Sequence, residues 1–332
     1  MRDPFDNAGD AFFLVQHRDD DRHARSEIYV MAALEALLSC LFYFTDTRPN
    51  LDVAPESALA LIRGDIEVWA SIGKVKQTGQ QCLKGGHDIN FRTGVSVIIP
   101  VLNEEESIGG VIERIPLDMV DEIVVADGGS ADRTVEVATS HGARVLHAGR
   151  GYGRACIEGA KTAGEDCAIL VYMDGDGSDF PEELPKLIEP IKSGRYDFVI
   201  ASRARGRREP GSMAWHQLAS GRIIGAIVGL LYGFRYTDMC AFRAIRRDAL
   251  LALDMREMTY GWNLEMQMKA ARAHLRILEI PVPYACRTGG ASKVAGSLRG
   301  TLRAGTRIIA TLFRVALQPS ATEKQVPIKR SA

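Results

Sequence analysis

The chain has 332 residues, 46% apolar and 25% charged, with a formal net charge of −1. That balance suits an ordinary globular protein with a full core, and the near-neutral charge gives no overall pull toward nucleic acid. Six cysteines are scattered without a CxxC pair and seven histidines form no HExxH, which argues against a disulfide framework or a histidine-bound zinc and fits the reduced thiols of a cytosolic protein.

In chain order, the first residues are acidic and polar rather than basic then apolar, so no signal peptide is expected. The apolar stretch from Ile28 to Phe44 carries Glu35 and falls short of the ~20 residues that cross a bilayer, so it reads as a buried or interfacial helix. A run rich in Gly, Gln and Lys from Gly73 to Gly86 reads as linker. Residues 1–92 thus form an extension without evident chemistry, residues 93–317 the main domain, and residues 318–332 a tail.

From residue 93 a regular alternation begins. Strands are expected over Val95–Pro100, Glu122–Ala126, Arg144–His147, Ala168–Met173 and Asp197–Ala201. Helices are expected over Glu104–Arg114, Asp132–Ser140, Tyr152–Ala163 and Pro181–Lys192. Short apolar runs alternating with amphipathic segments predict an α/β fold, a mostly parallel sheet flanked by helices. Ligands of such sheets sit beyond the carboxyl ends of the strands, and the polar motifs fall there.

The strongest of these is Asp174-Gly175-Asp176, directly after the run Ile169–Met173. In extended chain, residues i and i+2 point the same way, so two carboxylates converge on a hard-oxygen site for Mg²⁺ or Mn²⁺. Such a cation bridges a diphosphate and offsets charge on a leaving group. The bland alternative is an acidic turn. After the first expected strand comes Pro100-Val101-Leu102-Asn103-Glu104, where a dinucleotide fold would place GxGxxG; it is absent. After the second comes Asp127-Gly128-Gly129-Ser130-Ala131-Asp132. Asp127 is placed to accept a hydrogen bond from a base or ribose, while Ser130 or Asp132 can instead cap the next helix. Gly149-Arg150-Gly151-Tyr152-Gly153-Arg154 opens a third helix, where free N–H groups and arginines suit a nucleotide phosphate, although a lone GxG is weak evidence.

PVLNEE, ADGGSAD, RGYGRA, DGD, ASR at 201–203, CAFRAI at 240–245 and RTGGASK at 287–293 follow one another in a fixed order. Together they resemble a family 2 glycosyltransferase, in the branch of dolichyl- or polyprenyl-phosphate mannose and glucose synthases, over residues 94–315. The resemblance implies a GT-A fold, a nucleotide-sugar donor of the GDP-mannose or UDP-glucose type, Mg²⁺ or Mn²⁺, and inversion at the anomeric carbon. It places Pro100, Asn103, Glu104 and Asp127 at the nucleotide, Asp174 and Asp176 on the metal, Arg203 at an acceptor phosphate, and Arg287 and Lys293 on a loop that closes over phosphate groups. Ser178 stands where the family often has Gln, which puts a third protein ligand in doubt. Ala201 and Cys240-Ala241 depart from the usual GSR and SGFR and loosen the acceptor assignment.

A phosphate acceptor needs no strong base, since its second pKa lies near ~6; the expected acceptor is a polyprenyl phosphate. A soluble hydroxyl acceptor would need a base, and Glu265 and Asp238 are the candidates. Glu265 lies in a mainly apolar helix-like stretch, but Lys269 four residues on offers a helix salt bridge instead. Asp238 precedes an expected strand and can orient an arginine. A nucleotide-binding module that has lost catalysis is the third reading. From Arg287 to Arg330 nine residues are basic and only Glu323 is acidic. A helix over Leu298–Leu317 gathers Arg299, Arg303, Arg307 and Arg314 on one side, which suits either peripheral contact with the cytoplasmic face of a membrane or packing on the domain core.

Overall fold

The computed structural model describes residues 94–289 and 298–318, without the side chains of 216 and 298–304. Residues 1–92, Lys293 and the tail beyond 318 lie outside the described residues, and with them the expectations placed there.

The sheet has seven strands: β1 (Gly94–Val101), β2 (Glu122–Asp127), β3 (Arg144–His147), β4 (Cys167–Tyr172), β5 (Phe198–Ser202), β6 (Arg243–Arg246) and β7 (Ile277–Pro281). They lie in the order β3-β2-β1-β4-β6-β5-β7. All neighbouring pairs are parallel except those of β6, which runs antiparallel to both β4 and β5. The helices are α1 (Ile108–Glu113), α2 (Thr134–Ser140), α3 (Tyr152–Thr162), α4 (Leu184–Lys192), α5 (Trp215–Tyr232), α6 (Arg247–Ala252), α7 (Trp262–Arg272) and α8 (Leu298–Ala316).

The central strands form because their sequences can be buried on both faces. β1 reads GVSVIIPV and is buried at every position after Gly94, and β4 is fully enclosed from Ile169 onward. From β1 the chain winds outward to β2 and β3, then returns through α3 to β4 on the other side of β1. The winding therefore reverses between β1 and β4, and a crevice opens at their carboxyl ends.

The first five strands agree with the sequence reading to within a residue or so, and the α/β class holds. α1 begins at Ile108 rather than Glu104, because the intervening residues form a turn that is tied to the β2 loop by side-chain hydrogen bonds. The strand expected after Asp238 is β6, whose antiparallel direction the sequence reading did not anticipate. Arg243 at its start is fully buried, and its guanidinium donates to the carbonyls of Cys240, Ala241 and Asn263. That arrangement uses backbone at 240 and 241, so Cys240-Ala241 in place of Ser-Gly leaves it intact.

Helix α8 packs on α7, with Thr311, Leu312 and Val315 buried and Arg272 donating to the carbonyls of Val315 and Gln318 at 2.9 and 3.2 Å. Leu312 and Val315 are therefore spent on the domain core, as the second of the two sequence readings has it. No helix among the described residues is long and apolar enough to cross a membrane. Cys156, Cys167 and Cys240 are buried free thiols and Cys286 is an exposed one.

Candidate active site

The loops after β1 and β2 are laced together. Asn103, held at φ 52°, takes its backbone N–H to Ser130 Oγ at 2.9 Å and accepts Ala131 N–H on its Oδ1 at 2.8 Å. Asparagine tolerates this left-handed conformation better than most residues. Glu104 N–H donates to Thr134 Oγ1 at 2.8 Å and Glu105 N–H to Asp132 Oδ2 at 3.2 Å. Asp132 also accepts Thr134 N–H at 3.0 Å in a turn just before α2, whose N-cap position is taken by Arg133. Asp127 is turned inward. Its carboxylate accepts Gly129 N–H and Ser130 N–H at 3.1 and 3.0 Å and lies 3.2 Å from His147 Nδ1. Burial opposes its ionisation, but these hydrogen bonds outweigh it and hold its pKa below the usual carboxylate range. Asp127 is 1% exposed, so it shapes the turn and has little capacity left for a base or ribose. Pro100 is buried inside β1 opposite Ala126 and presents little surface to any pocket.

At the end of β4 the acidic motif meets its neighbours. Asp174 Oδ1 lies 3.3 Å from the Tyr152 hydroxyl, and its pKa is pushed up to about 6 by burial and then by Asp176. Asp176 accepts Ser178 N–H at 3.0 Å and the Ser178 hydroxyl on Oδ1, while Arg287 Nη2 stands 3.0 Å from Oδ2. A third carboxyl, Asp179, accepts Asp174 N–H at 3.2 Å and is pushed up to about 8 by burial, Asp174 and Asp176. The sequence reading missed Asp179, whose approach depends on the turn at Gly177.

A dication suits this set. Burial and mutual repulsion raise two of the three carboxyls, which is the charge surplus that a bound cation relieves. Among the described residues no three His, Cys, Asp or Glu side chains form a ready cage. Mg²⁺-type sites commonly use one or two carboxylates and complete their shell with phosphate and water. Asp174 and Asp176 fit that pattern. Ser178 orients Asp176 and bonds the Tyr284 hydroxyl at 3.1 Å.

Facing them, Arg203 lies across Asp238. Its Nε and Nη2 both donate at 2.8 Å, its backbone N–H donates at 2.9 Å, and its guanidinium stacks 5.0 Å from the Tyr284 ring centroid. Burial disfavours the Asp238 carboxylate, but Arg203 outweighs it and holds the pKa low. Asp238 is placed to orient Arg203; it is buried and both its oxygens are engaged. The segment that carries it is pressed against α5, where a Cβ on Gly225 would fall 1.8 Å from the Tyr236 carbonyl oxygen. Glu265, the other candidate base, is enclosed in α7. It is 0% exposed, pairs with Lys269 Nζ at 2.9 Å, and accepts the N–H groups of Arg256 and Glu257.

Residues 282–289 cross the rim as a strap. Tyr284, Ala285 and Thr288 donate their N–H groups to Arg207, Ser178 and Asp176 carbonyls. Arg287 on this strap bridges Asp176 and Glu104 Oε1, at 3.0 and 3.1 Å. Gly153 and Arg154 open α3, but Arg154 N–H is already committed to the Met258 carbonyl at 3.0 Å. That N–H is not free for phosphate; the exposed Arg154 side chain is.

With this geometry in view, the comparisons fall into place. The glycosyl transferase family 2 model matches residues 96–253. An uncharacterized glycosyltransferase of Mycobacterium tuberculosis is 37% identical over 214 residues, covering 63% of this chain and 93% of that protein. An undecaprenyl-phosphate mannosyltransferase of Micrococcus luteus is 36% identical over 225 residues, covering 62% and 89%. Among solved structures, glucosyl-3-phosphoglycerate synthase of M. tuberculosis, in complex with Mn²⁺ and UDP-glucose, aligns with a TM-score of 0.55 at 24% identity, covering 69% of this chain and 81% of that one. The architecture is that of a GT-A glycosyltransferase. The chain belongs to glycosyl transferase family 2 and is an enzyme of that class.

Proposed function

We propose that the enzyme moves a hexose from a nucleoside-diphosphate sugar to a polyprenyl phosphate, with inversion and with Mg²⁺ or Mn²⁺ held by Asp174 and Asp176. The observation that carries this reading is the pair of enclosed carboxylates at the β1–β4 crevice, faced by two arginines, Arg203 and Arg287. Bound there, the cation would supply Lewis-acid stabilisation of the charge on the departing diphosphate. Arg287 screens the same phosphates from the strap. Arg203, held flat by Asp238 and Tyr284, presents the rest of its guanidinium to the acceptor phosphate and draws it toward the sugar. An oxygen of that phosphate attacks the anomeric carbon, the new C–O bond forms as the bond to the diphosphate breaks, and the electron pair leaves with the nucleotide.

No residue need take a proton, because a phosphate monoester is already largely ionised above ~6. This agrees with the engagement of both base candidates, Asp238 and Glu265, in ion pairs. The 36% identity to an undecaprenyl-phosphate mannosyltransferase supports a lipid phosphate as acceptor. Peripheral membrane contact belongs to the same proposal, through half-exposed Ile308, Ile309 and Phe313 on α8.

The test is donor turnover with GDP-mannose and UDP-glucose, with and without Mn²⁺, offering polyprenyl phosphate in vesicles, 3-phosphoglycerate, or unphosphorylated alcohols. Metal-dependent product on the lipid phosphate is expected. Equal turnover on the alcohols defeats the acceptor assignment, and nucleotide binding without turnover on any acceptor favours a non-catalytic module.

A further inference from the structure

We infer that Glu257, held by Arg314 of the C-terminal helix, is a positioning residue for the acidic centre, acting on Asp174 through the first turn of α3. The inference rests on the reading of Asp174 as a metal ligand.

The connection can be followed atom by atom. Tyr152 is the first residue of α3, and its hydroxyl reaches Asp174 Oδ1 at 3.3 Å. The backbone on either side of it leans on the loop before α7. Arg154 N–H donates to the Met258 carbonyl at 3.0 Å. A Cβ on Gly153 would lie 2.2 Å from the Glu257 carbonyl oxygen, and one on Gly151 2.5 Å from that of Met258. Both glycines are thus needed for the approach of this loop, and where the loop sits decides where Tyr152 sits.

The loop is fixed in turn by buried charge. Glu257 is 6% exposed. Its Oε1 accepts Thr259 N–H at 3.0 Å, and its Oε2 accepts Arg314 Nη2 at 2.9 Å and Thr311 Oγ1 at 3.3 Å. From the other side Glu265 Oε2 accepts the N–H groups of Arg256 and Glu257 at 3.0 and 2.6 Å. The loop is clamped between α7 and α8, and its carbonyls bear on α3. Loss of a group that orients a metal ligand from the outer shell typically costs ~10–100-fold in metal affinity. Glu257, Thr311 and Arg314 bond one another and the loop, so their effect passes to Asp174 through the loop.

The experiment uses the full chain and the variants Glu257→Gln and Arg314→Met, with Mn²⁺ alone and with nucleoside diphosphate as probes. Both variants should weaken Mn²⁺ binding by about tenfold, the lower end of the range for outer-shell partners. Donor KM should rise while kcat at saturating metal and donor stays near wild type. Amide hydrogen exchange across Gly151–Cys156 should accelerate in both. A lower melting temperature with unchanged Mn²⁺ affinity and unchanged exchange in this segment overturns the inference and leaves Glu257 a stabilising residue only. If the wild type binds no Mn²⁺ at all, the metal reading of Asp174 fails instead, and the exchange measurement alone decides the positioning role.

Discussion

Arg287 stands with Nη2 3.0 Å from Asp176 Oδ2, so a side chain of the strap already supplies positive charge to the carboxylate assigned to the metal. The same guanidinium lies 3.1 Å from Glu104, and strap and β1 loop are thereby tied over the end of β4. On the proposed reading, a cation held by Asp174 and Asp176 would supply the charge that Arg287 now gives Asp176, and Arg287 would then serve the donor's phosphates.

Arg287→Met therefore separates two affinities. Mn²⁺ binding without nucleotide should tighten by about tenfold, or ~1.4 kcal/mol, because the competing cation is gone. Donor binding should weaken. Calorimetric titration of Mn²⁺ with and without nucleoside diphosphate distinguishes the two, and weaker binding of both would show that Arg287 only organises the site.

Replacing either proposed metal ligand should be more severe. Asp174→Asn or Asp176→Asn should lower metal-dependent sugar transfer beyond the ~10–100-fold that loss of an outer-shell partner costs. Circular dichroism should remain that of the folded protein, since both residues lie at a strand end and not within the sheet.

The raised carboxyls predict an unusual pH response of the metal-free protein. Asp174 at about 6 and Asp179 at about 8 keep protons that the unfolded chain releases near 4. The folded state then binds more protons than the unfolded one between these values, so stability falls as pH rises through the window. Melting temperature should decline from pH 5 to pH 8, more weakly in Asp179→Asn. Added Mn²⁺ should offset the decline, because it binds the ionised forms.

Asp238 and Glu265 separate orientation from proton transfer. Asp238→Asn should raise acceptor KM and leave the pH-rate profile unchanged, whereas loss of a general base would cost ~10²–10⁴ in kcat. Glu265→Gln leaves Lys269 buried without its partner and should destabilise the fold by ~3–5 kcal/mol, with near-normal activity per folded molecule.

What the sequence made legible is what local pattern controls. Continuous apolar runs locate β1 to β5, and DGD after such a run locates the acidic centre. The rest depends on contacts between distant residues. Arg203 and Asp238 are 35 positions apart and meet because α5 folds the chain back, its glycines pressed on the returning segment. Asp179 enters the centre only through the turn at Gly177. Glu265 shows the opposite failure: its apolar surroundings suggested a tuned base, while the structure seals it in a helix ion pair with Lys269. The strand expected after Asp238 is β6, but its antiparallel direction is set by its partners β4 and β5 and not by its own residues.

The lone backward-running strand has a consequence for how the enzyme diversifies. β6 separates the parallel group β3-β2-β1-β4 from the pair β5-β7, yet the chain leaves β5 and enters β6 at the same rim of the sheet. Residues 203–242 thus form an excursion hung from two adjacent strands, and it carries both Arg203 and Asp238. If Arg203 receives the acceptor as proposed, exchanging this segment for that of another family member should change which molecule receives the sugar more than it changes donor binding.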